Sequence, residues 1–257
     1  MSLSQLHGNG KLYVVGIGPG SQEHLTLRAV EVLERADVII GNGTYLDQIS
    51  HLITNQQVIR SRMGKEVDRA RKAIELARDR KVAMVSGGDS NVYGMAGLVL
   101  EVAQHSDLKV DIEVVPGVTA LSAVASLLGA PVVSDFAVIS LSDLLTPWNV
   151  IEQRLAAAAT SDMVIGIYNP KSRQRNTNYI RAIEIIRRHR ADTVPVGIVK
   201  NALRPEGESV TVTTLGKAMD HDEEVDMSTT VIIGNSESRI WGSKMITPRG
   251  YHKKYEY

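Results

Sequence analysis

The residues that could do chemistry in this chain sit in four short turns: GIGPG (16–20), GGDSNVYG (87–94), PGVTA (116–120) and NPKSR (169–173). Each turn follows a short apolar run rich in Val and Ile. That places it at the carboxyl end of a strand, where open parallel sheets hold their ligands. The turns offer backbone amides, the Thr119 hydroxyl and one carboxylate, Asp89. Such groups suit amide-type edges, hydroxyls and a cation, so a nucleoside carrying a sulfonium and an amino acid fits better than a polyphosphate. We read the four turns as one ligand crevice.

The first turn is not a dinucleotide fingerprint. The third glycine of G-x-G-x-x-G arrives one position early, at Gly20, and Pro19 removes an N–H that a phosphate would use. The next strand, DVII (37–40), ends in Gly41-Asn42-Gly43 with no carboxylate to hold a ribose.

Charge and composition exclude other classes. Lys plus Arg and Asp plus Glu both number 29, so no net field favours nucleic acid or anionic lipid, and anion recognition falls to local clusters. Two clusters stand out, RSRMGK (60–65) and KSRQR (171–175); arginine in particular grips a carboxylate through paired hydrogen bonds. The absence of cysteine removes disulfides, thiolate zinc sites, iron–sulfur ligation and a thiol nucleophile. The seven histidines are scattered without an i, i+4 pair, so no metal site is expected. MSLSQLHGNGK lacks the apolar core of a signal peptide, and no apolar run approaches a membrane span. The expectation is a cytoplasmic protein without membrane or nucleic-acid partners.

The elements that must position these turns follow from periodicity. Strands are expected at 12–18, 37–40, 81–86 and 110–115, and helices at 25–36, 44–53, 66–80, 92–105 and 118–128. Apolar strands without polar alternation, separated by helices, indicate a parallel sheet buried on both faces. Beyond this point strands are expected at 136–141, 162–168, 194–200, 208–215 and 228–235, with helices only at 148–159 and 178–189. ESVTVTTL alternates polar with apolar, as an antiparallel strand with one wet face does. The fold class is therefore α/β in two domains, 1–118 with a mostly parallel sheet and 119–257 with a mixed one, the boundary lying between Pro116 and Leu128. The tail TPRGYHKKYEY reads as loose or docked on a partner subunit.

VVGIGPGS, SGGDSNVYGMAG, VVPGVTALSAVAS and YNPKSRQR together resemble the tetrapyrrole (precorrin) methyltransferases, which use S-adenosylmethionine and release S-adenosylhomocysteine. The stretch 136–175, with SLSDLLTPW and YNPKSRQR, is most similar to the branch acting at C17 of precorrin-3B or cobalt-factor III. The resemblance runs from about Tyr13 to Asn235. It implies two α/β domains with the active site in the cleft between them, usually in a homodimer. Carried over by motif, it implies S-adenosylmethionine against Pro19, Gly87, Gly88, Asp89, Val92, Thr119, Ala120, Tyr168, Asn169, Asn201 and Ala202. The tetrapyrrole would then border Gly18, and its carboxylates would meet Arg60, Arg62, Lys171, Arg173 and Arg175. The GIGPG loop becomes a wall of the cleft, stiffened by Pro19.

Methyl transfer from a sulfonium asks mainly for alignment, because the departing thioether needs no proton. The ring contraction associated with the C17 branch does need proton transfer. Asp143, Ser142 and Tyr45 are the catalytic candidates for it, with Ser140 and Thr44 beside them. The chain departs from the branch pattern at Ser134, where a histidine is frequent, and in GNGTYLD, which lacks a frequent lysine. It also lacks the cysteine-rich extension of some members. The rival classes are a methylase acting at another ring carbon or on diphthamide, and a non-catalytic nucleotide-binding module or dehydrogenase.

Overall fold

The computed structural model describes residues 10–256. Most of the polar leader, residues 1–9, lies outside the described residues. The chain divides into two compact units, one ending at Ala120 and the other starting at Leu121.

The first unit holds five strands, β1 (Lys11–Gly16), β2 (Val38–Asn42), β3 (Gln57–Ser61), β4 (Lys81–Ser86) and β5 (Ile112–Val115). They form an all-parallel sheet in the order β3-β2-β4-β1-β5. Helices α1 (Leu27–Arg35) and α2 (Gly43–Gln48) belong to one apolar cluster with Val15, Ile39 and Val85. Helices α3 (Glu66–Leu76) and α4 (Ala96–Gln104) belong to another with Leu12, Val14, Val82 and Met84. Covering both faces buries β2 throughout and β4 beyond Lys81, which is why the central strands show no polar alternation. Side chains start two helices: Thr26 Oγ1 accepts from Ala29 N at 3.1 Å for α1, and Asn42 Oδ1 from Thr44 N at 2.9 Å for α2.

The two edges of this sheet differ in chemistry. At the amino end Lys11 Nζ lies 3.1 Å from both Asp111 and Glu113, and Asp37 Oδ2 accepts from Lys81 N at 2.8 Å. Hydrogen bonds to those carboxylates, Asp111 first, raise the Lys11 pKa above its ordinary value. The carboxyl edge carries the glycine turns.

The second unit's first helix, α5, is Ala120–Leu128, starting at the last residue of the first unit. It is followed by β6 (Gly129–Ala130), β7 (Phe136–Ser140), α6 (Trp148–Thr160), β8 (Val164–Tyr168), α7 (Asn178–Arg187), β9 (Pro195–Lys200), β10 (Ser209–Thr214), β11 (Thr229–Ile233), β12 (Arg239–Trp241) and β13 (Lys244–Ile246). The main sheet runs β10-β9-β11-β8-β7. β7 and β8 are parallel, and β11 is antiparallel to both β8 and β9. β7, β8 and β9 therefore all finish at one edge. α5 packs on this sheet where glycines make room: a Cβ at Gly197 would meet Leu128 Cδ1 at 2.3 Å, and one at Gly166 would meet Leu121 Cδ1 at 2.7 Å. The other face buries Ile151, Leu155, Tyr179, Ile183 and Ile186 from α6 and α7.

The mixed sheet and its antiparallel strand are as the sequence indicates, since β10 pairs antiparallel with β9 at the sheet edge. The alternation of β10 does not sort into a wet and a dry face, because Val210 is exposed while Thr211, Val212 and Thr213 are all half-buried. Several elements differ. The segment 44–53 breaks into α2 and a separate 3-10 turn, Ser50–Leu52. α4 starts at Ala96, not Val92, because Tyr93 adopts φ 54° and a Cβ on Gly94 would sit 2.4 Å from Ser90 O. The edge strand β3 and the small sheet β12-β13-β6 carry too little periodicity to be foreseen. A ten-residue 3-10 segment, Leu215–Glu224, joins β10 to β11. In the tail, Tyr251–Lys253 form a 3-10 turn and Lys253 pairs with Glu237.

Candidate active site

Within the first unit the turns after β1, β4 and β5 meet backbone against backbone. Gly18 N donates to Gly88 O at 3.0 Å and Gly88 N donates to Gly18 O at 2.8 Å, a one-rung antiparallel bridge. Both glycines need a left-handed backbone, with φ 72° and 65°. Gly16 and Gly117 are required by closeness: a Cβ on Gly117 would lie 2.3 Å from Gly88 O, and one on Gly16 would lie 2.7 Å from Gly117 N.

Asp89 braces the same turns. Its Oδ1 accepts from Asn91 N at 2.8 Å and Val92 N at 3.2 Å, and its Oδ2 accepts from Gly117 N at 2.9 Å. Buried Ser90 adds a bond from its hydroxyl to Val115 O at 3.1 Å. The carboxylate read from the sequence as facing a ligand thus already ties the β4 turn to the β5 turn. A Cβ on Gly88 would be 3.7 Å from Ala120 N and 3.9 Å from the Thr119 Cα, so the structure brings Gly88, Thr119 and Ala120 together. The Tyr45 ring lies on Gly87, whose Cβ would meet Tyr45 Cε1 at 2.5 Å. Pro19 is buried beside Gly18, whereas Thr44 is exposed. Arg60 pairs with Asp47 at 2.8 Å on α2, and exposed Arg62 follows the end of β3.

One residue of this edge had no functional reading in the sequence. Arg69 is 5% exposed; its Nη1 donates to Ser61 Oγ at 2.5 Å and its Nη2 to Met95 Sδ at 3.5 Å. Burial lowers its pKa from the ordinary guanidinium value. Its place four residues before Ala73, on the buried stripe of α3, was the only signal available.

In the second unit the ends of β7, β8 and β9 gather Ser140, Ser142 and Asp143, then Tyr168 and Asn169, then Asn201 and Ala202 along one sheet edge. Asn169 and Asn201 hold φ 50° and 49°, a left-handed conformation that asparagine tolerates better than most residues. Asn169 Nδ2 donates to Ser140 Oγ at 2.9 Å, and Ser142 N donates to the same oxygen at 3.2 Å. Tyr168 Oη accepts from Leu121 N at 2.7 Å, meeting one of the amide donors that α5 leaves at its start. Asn201 bonds within its own loop, accepting from Arg204 at 3.2 Å and donating to Gly207 O at 3.2 Å.

The cationic loop after β8 is not uniform. Lys171 Nζ donates to Asp222 Oδ2 at 2.5 Å and to Asp222 O at 3.0 Å, so its ammonium is engaged. Arg173 is exposed. Arg175 Nε lies 3.8 Å from Asp143 Oδ1. Buried Asn178, which sequence reasoning passed over as ordinary helix, donates to Leu141 O at 2.9 Å and pins the segment that carries Ser142 and Asp143. Among the described residues no group of three or more His, Cys, Asp or Glu could hold a metal ion, and no helix is long and apolar enough to cross a membrane.

A family model described as Tetrapyrrole (Corrin/Porphyrin) Methylases matches residues 11–219. The cobalamin biosynthesis protein CbiHC of Archaeoglobus fulgidus is 51% identical over 97% of this chain and 55% of its own length. A probable cobalt-factor III C(17)-methyltransferase of Salmonella typhimurium is 47% identical over 93% of this chain and 99% of its own. The chain thus spans about half the length of the first relative and nearly all of the second. The crystal structure of the methyltransferase CobJ superimposes with TM-score 0.86 at 32% identity, covering 93% of this chain and 100% of that one. A uroporphyrin-III C-methyltransferase of Thermus thermophilus complexed with S-adenosylhomocysteine gives TM-score 0.67 at 26% identity, covering 88% and 92%.

Proposed function

This chain belongs to the tetrapyrrole (corrin/porphyrin) methylases, and from that premise we propose that it is an S-adenosylmethionine-dependent C-methyltransferase of cobalamin biosynthesis. Its substrate in this reading is precorrin-3B or cobalt-factor III, methylated at C17 with contraction of the macrocycle. The observation that carries the reading is the likeness to the Salmonella C(17)-methyltransferase along nearly the whole of both chains.

The first unit's rim suits the methyl donor. Its polar groups, Asp89, Thr119 and the amides of glycine turns, bring no positive charge against a sulfonium. We assign the donor to Pro19, Gly87, Gly88, Asp89, Val92, Thr119 and Ala120, with Tyr168, Asn169, Asn201 and Ala202 as further contacts. When bound, S-adenosylmethionine supplies the methyl group and leaves as the uncharged thioether S-adenosylhomocysteine. The task of the chain is then alignment and exclusion of water. The glycine-to-glycine bridge and the Asp89 brace meet it by fixing the turns before any ligand arrives. Gly18 would border the macrocycle, and Arg60, Arg62, Arg173 and Arg175 would meet its carboxylates. Lys171 is the weakest of these candidates, because Asp222 already holds it. Tyr45, Ser142 and Asp143 are proposed to move protons during ring contraction. A homodimer in the cytoplasm completes the proposal.

Incubation with methyl-labelled S-adenosylmethionine and each of the two corrinoids, with products identified by mass and by position of label, tests it. One labelled methyl at C17 is the expected result. Label at another ring carbon would replace the C17 assignment, and binding of NAD without S-adenosylhomocysteine in calorimetry would end the methylase reading. Light scattering at working concentration tests the dimer.

A further inference from the structure

Resting on that reading, we propose that Asp143 occupies Arg175 in place of a substrate carboxylate, and that an entering tetrapyrrole displaces it. The starting observation is an underused guanidinium. Arg175 is mostly buried, its side chain 20% exposed, yet its closest carboxylate contact is the 3.8 Å approach to Asp143 Oδ1. Its Nη2 reaches only the Met227 sulfur, at 3.6 Å, a weak acceptor. Its buried Nη1 has no hydrogen-bond partner. A guanidinium offers five donors in a fixed plane and is fully served by a carboxylate that takes two of them together. Asp143 at 3.8 Å from one nitrogen does not do this, and a buried donor left empty favours whatever ligand fills it.

The neighbouring pair sets the contrast. Lys171 and Asp222, in the same loop region, close to 2.5 Å. One ion pair therefore locks the loop after β8 onto the 3-10 segment Leu215–Glu224, while the other stays loose. Three apolar side chains next to the loose pair are uncovered. Leu144 and Leu145, next in sequence to Asp143, are 82% and 92% exposed, and Met227 is 45% exposed. Adjacent bare leucines at a carboxylate–guanidinium pair match a ligand with a broad apolar body and an anionic rim. A tetrapyrrole bearing acetate and propionate arms is that ligand. Exchange of one carboxylate for another at Arg175 conserves charge at the pair and frees Asp143 on arrival of substrate. Asp143 thus acts on affinity as a built-in competitor, and Arg175 as a specificity residue for the carboxylated rim.

Uroporphyrin III, a stable porphyrin with eight carboxylates, serves as probe, its binding to the full chain followed by absorbance and fluorescence. Arg175→Gln should weaken binding about tenfold, the loss of one charge-assisted carboxylate contact. Asp143→Asn should tighten binding about three- to tenfold, because the competitor is gone. In the double variant the gain from Asp143→Asn should vanish, since it acts only through Arg175. Arg175→Lys, which keeps the charge but not the fork, should recover only part of the loss. Melting curves of each variant exclude unfolding as the cause. Unchanged or weaker binding by Asp143→Asn, or a gain that persists without Arg175, overturns the inference while leaving the methylase reading intact. Failure of the unaltered chain to bind both uroporphyrin III and S-adenosylhomocysteine would instead strike that reading itself.

Discussion

Replacing Gly117 by alanine puts a methyl carbon 2.3 Å from Gly88 O and 2.7 Å from the Gly16 carbonyl carbon. Both obstacles are backbone, and both belong to turns that are themselves fixed by the bridge between Gly18 and Gly88. No side chain can rotate away, so one of the three turns must move by about half an ångström or more. Overpacking of this kind costs about 1–3 kcal/mol, and a backbone-only clash belongs at the upper end, near 3. At about 2–4 °C per kcal/mol, melting should fall by about 6–12 °C. The displaced turns carry Gly88, Asp89 and Thr119, so S-adenosylhomocysteine affinity in calorimetry should drop at least about tenfold. Gly97→Ala is the matched control: it adds the same methyl in α4 with no atom within 4 Å and should stabilise by up to about 1 kcal/mol. If Gly117→Ala melts within a degree of the parent and binds S-adenosylhomocysteine normally, the close meeting of the three turns is not what shapes this rim.

Asp89→Ala strands three backbone donors, those of Asn91, Val92 and Gly117, and should cost about 2–3 kcal/mol in urea denaturation, with Asp89→Asn recovering part of it. Arg190→Met removes a buried guanidinium that donates to Ala158 O, Ala159 O, Met163 O and Gly234 O, and should lower stability by about 3 kcal/mol on the same assay. Burial pushes the Asp226 carboxyl up, but the bonds from Lys200 and Ser228 outweigh it and hold the folded value below the ordinary 3.8. That contribution is complete above pH 3.8 and is lost as pH falls through the lower folded value; in Asp226→Asn, urea midpoints measured against pH should lose this acid limb.

The alternation of apolar runs with helical segments was enough to place the parallel sheet, the mixed sheet and the helices between them, because burial on both faces leaves a compositional trace in the central strands. Short edge elements left none. β3 shows only Val58 and Ile59 side by side, and β12 and β13 are three residues each. The start of α4 was misplaced for a local reason: Val92 to Met95 read as helix, but Asp89 captures the Val92 amide and Tyr93 turns left-handed. Among the candidate site residues, the glycine turns, Asp89 and Thr119 stood out through their type and their place after strands. Arg69 and Asn178 did not, since a buried cation or amide within a helical period resembles its neighbours until the partner across the fold is seen.

Sequence alone, then, determined the class of the fold, the position of the chemistry-bearing turns at the carboxyl ends of strands, and the motifs that mark the family. These depend on local order: which residue types follow which, and with what period. Tertiary structure alone decided how those residues are used. It made Asp89 a brace across two turns, closed Lys171 on Asp222, and left Arg175 only loosely held by Asp143. Each of these partners lies between 28 and 51 residues away along the chain. No propensity or spacing reports contacts at such separations, because they arise only when segments far apart in sequence are brought side by side by the sheet that lies between them.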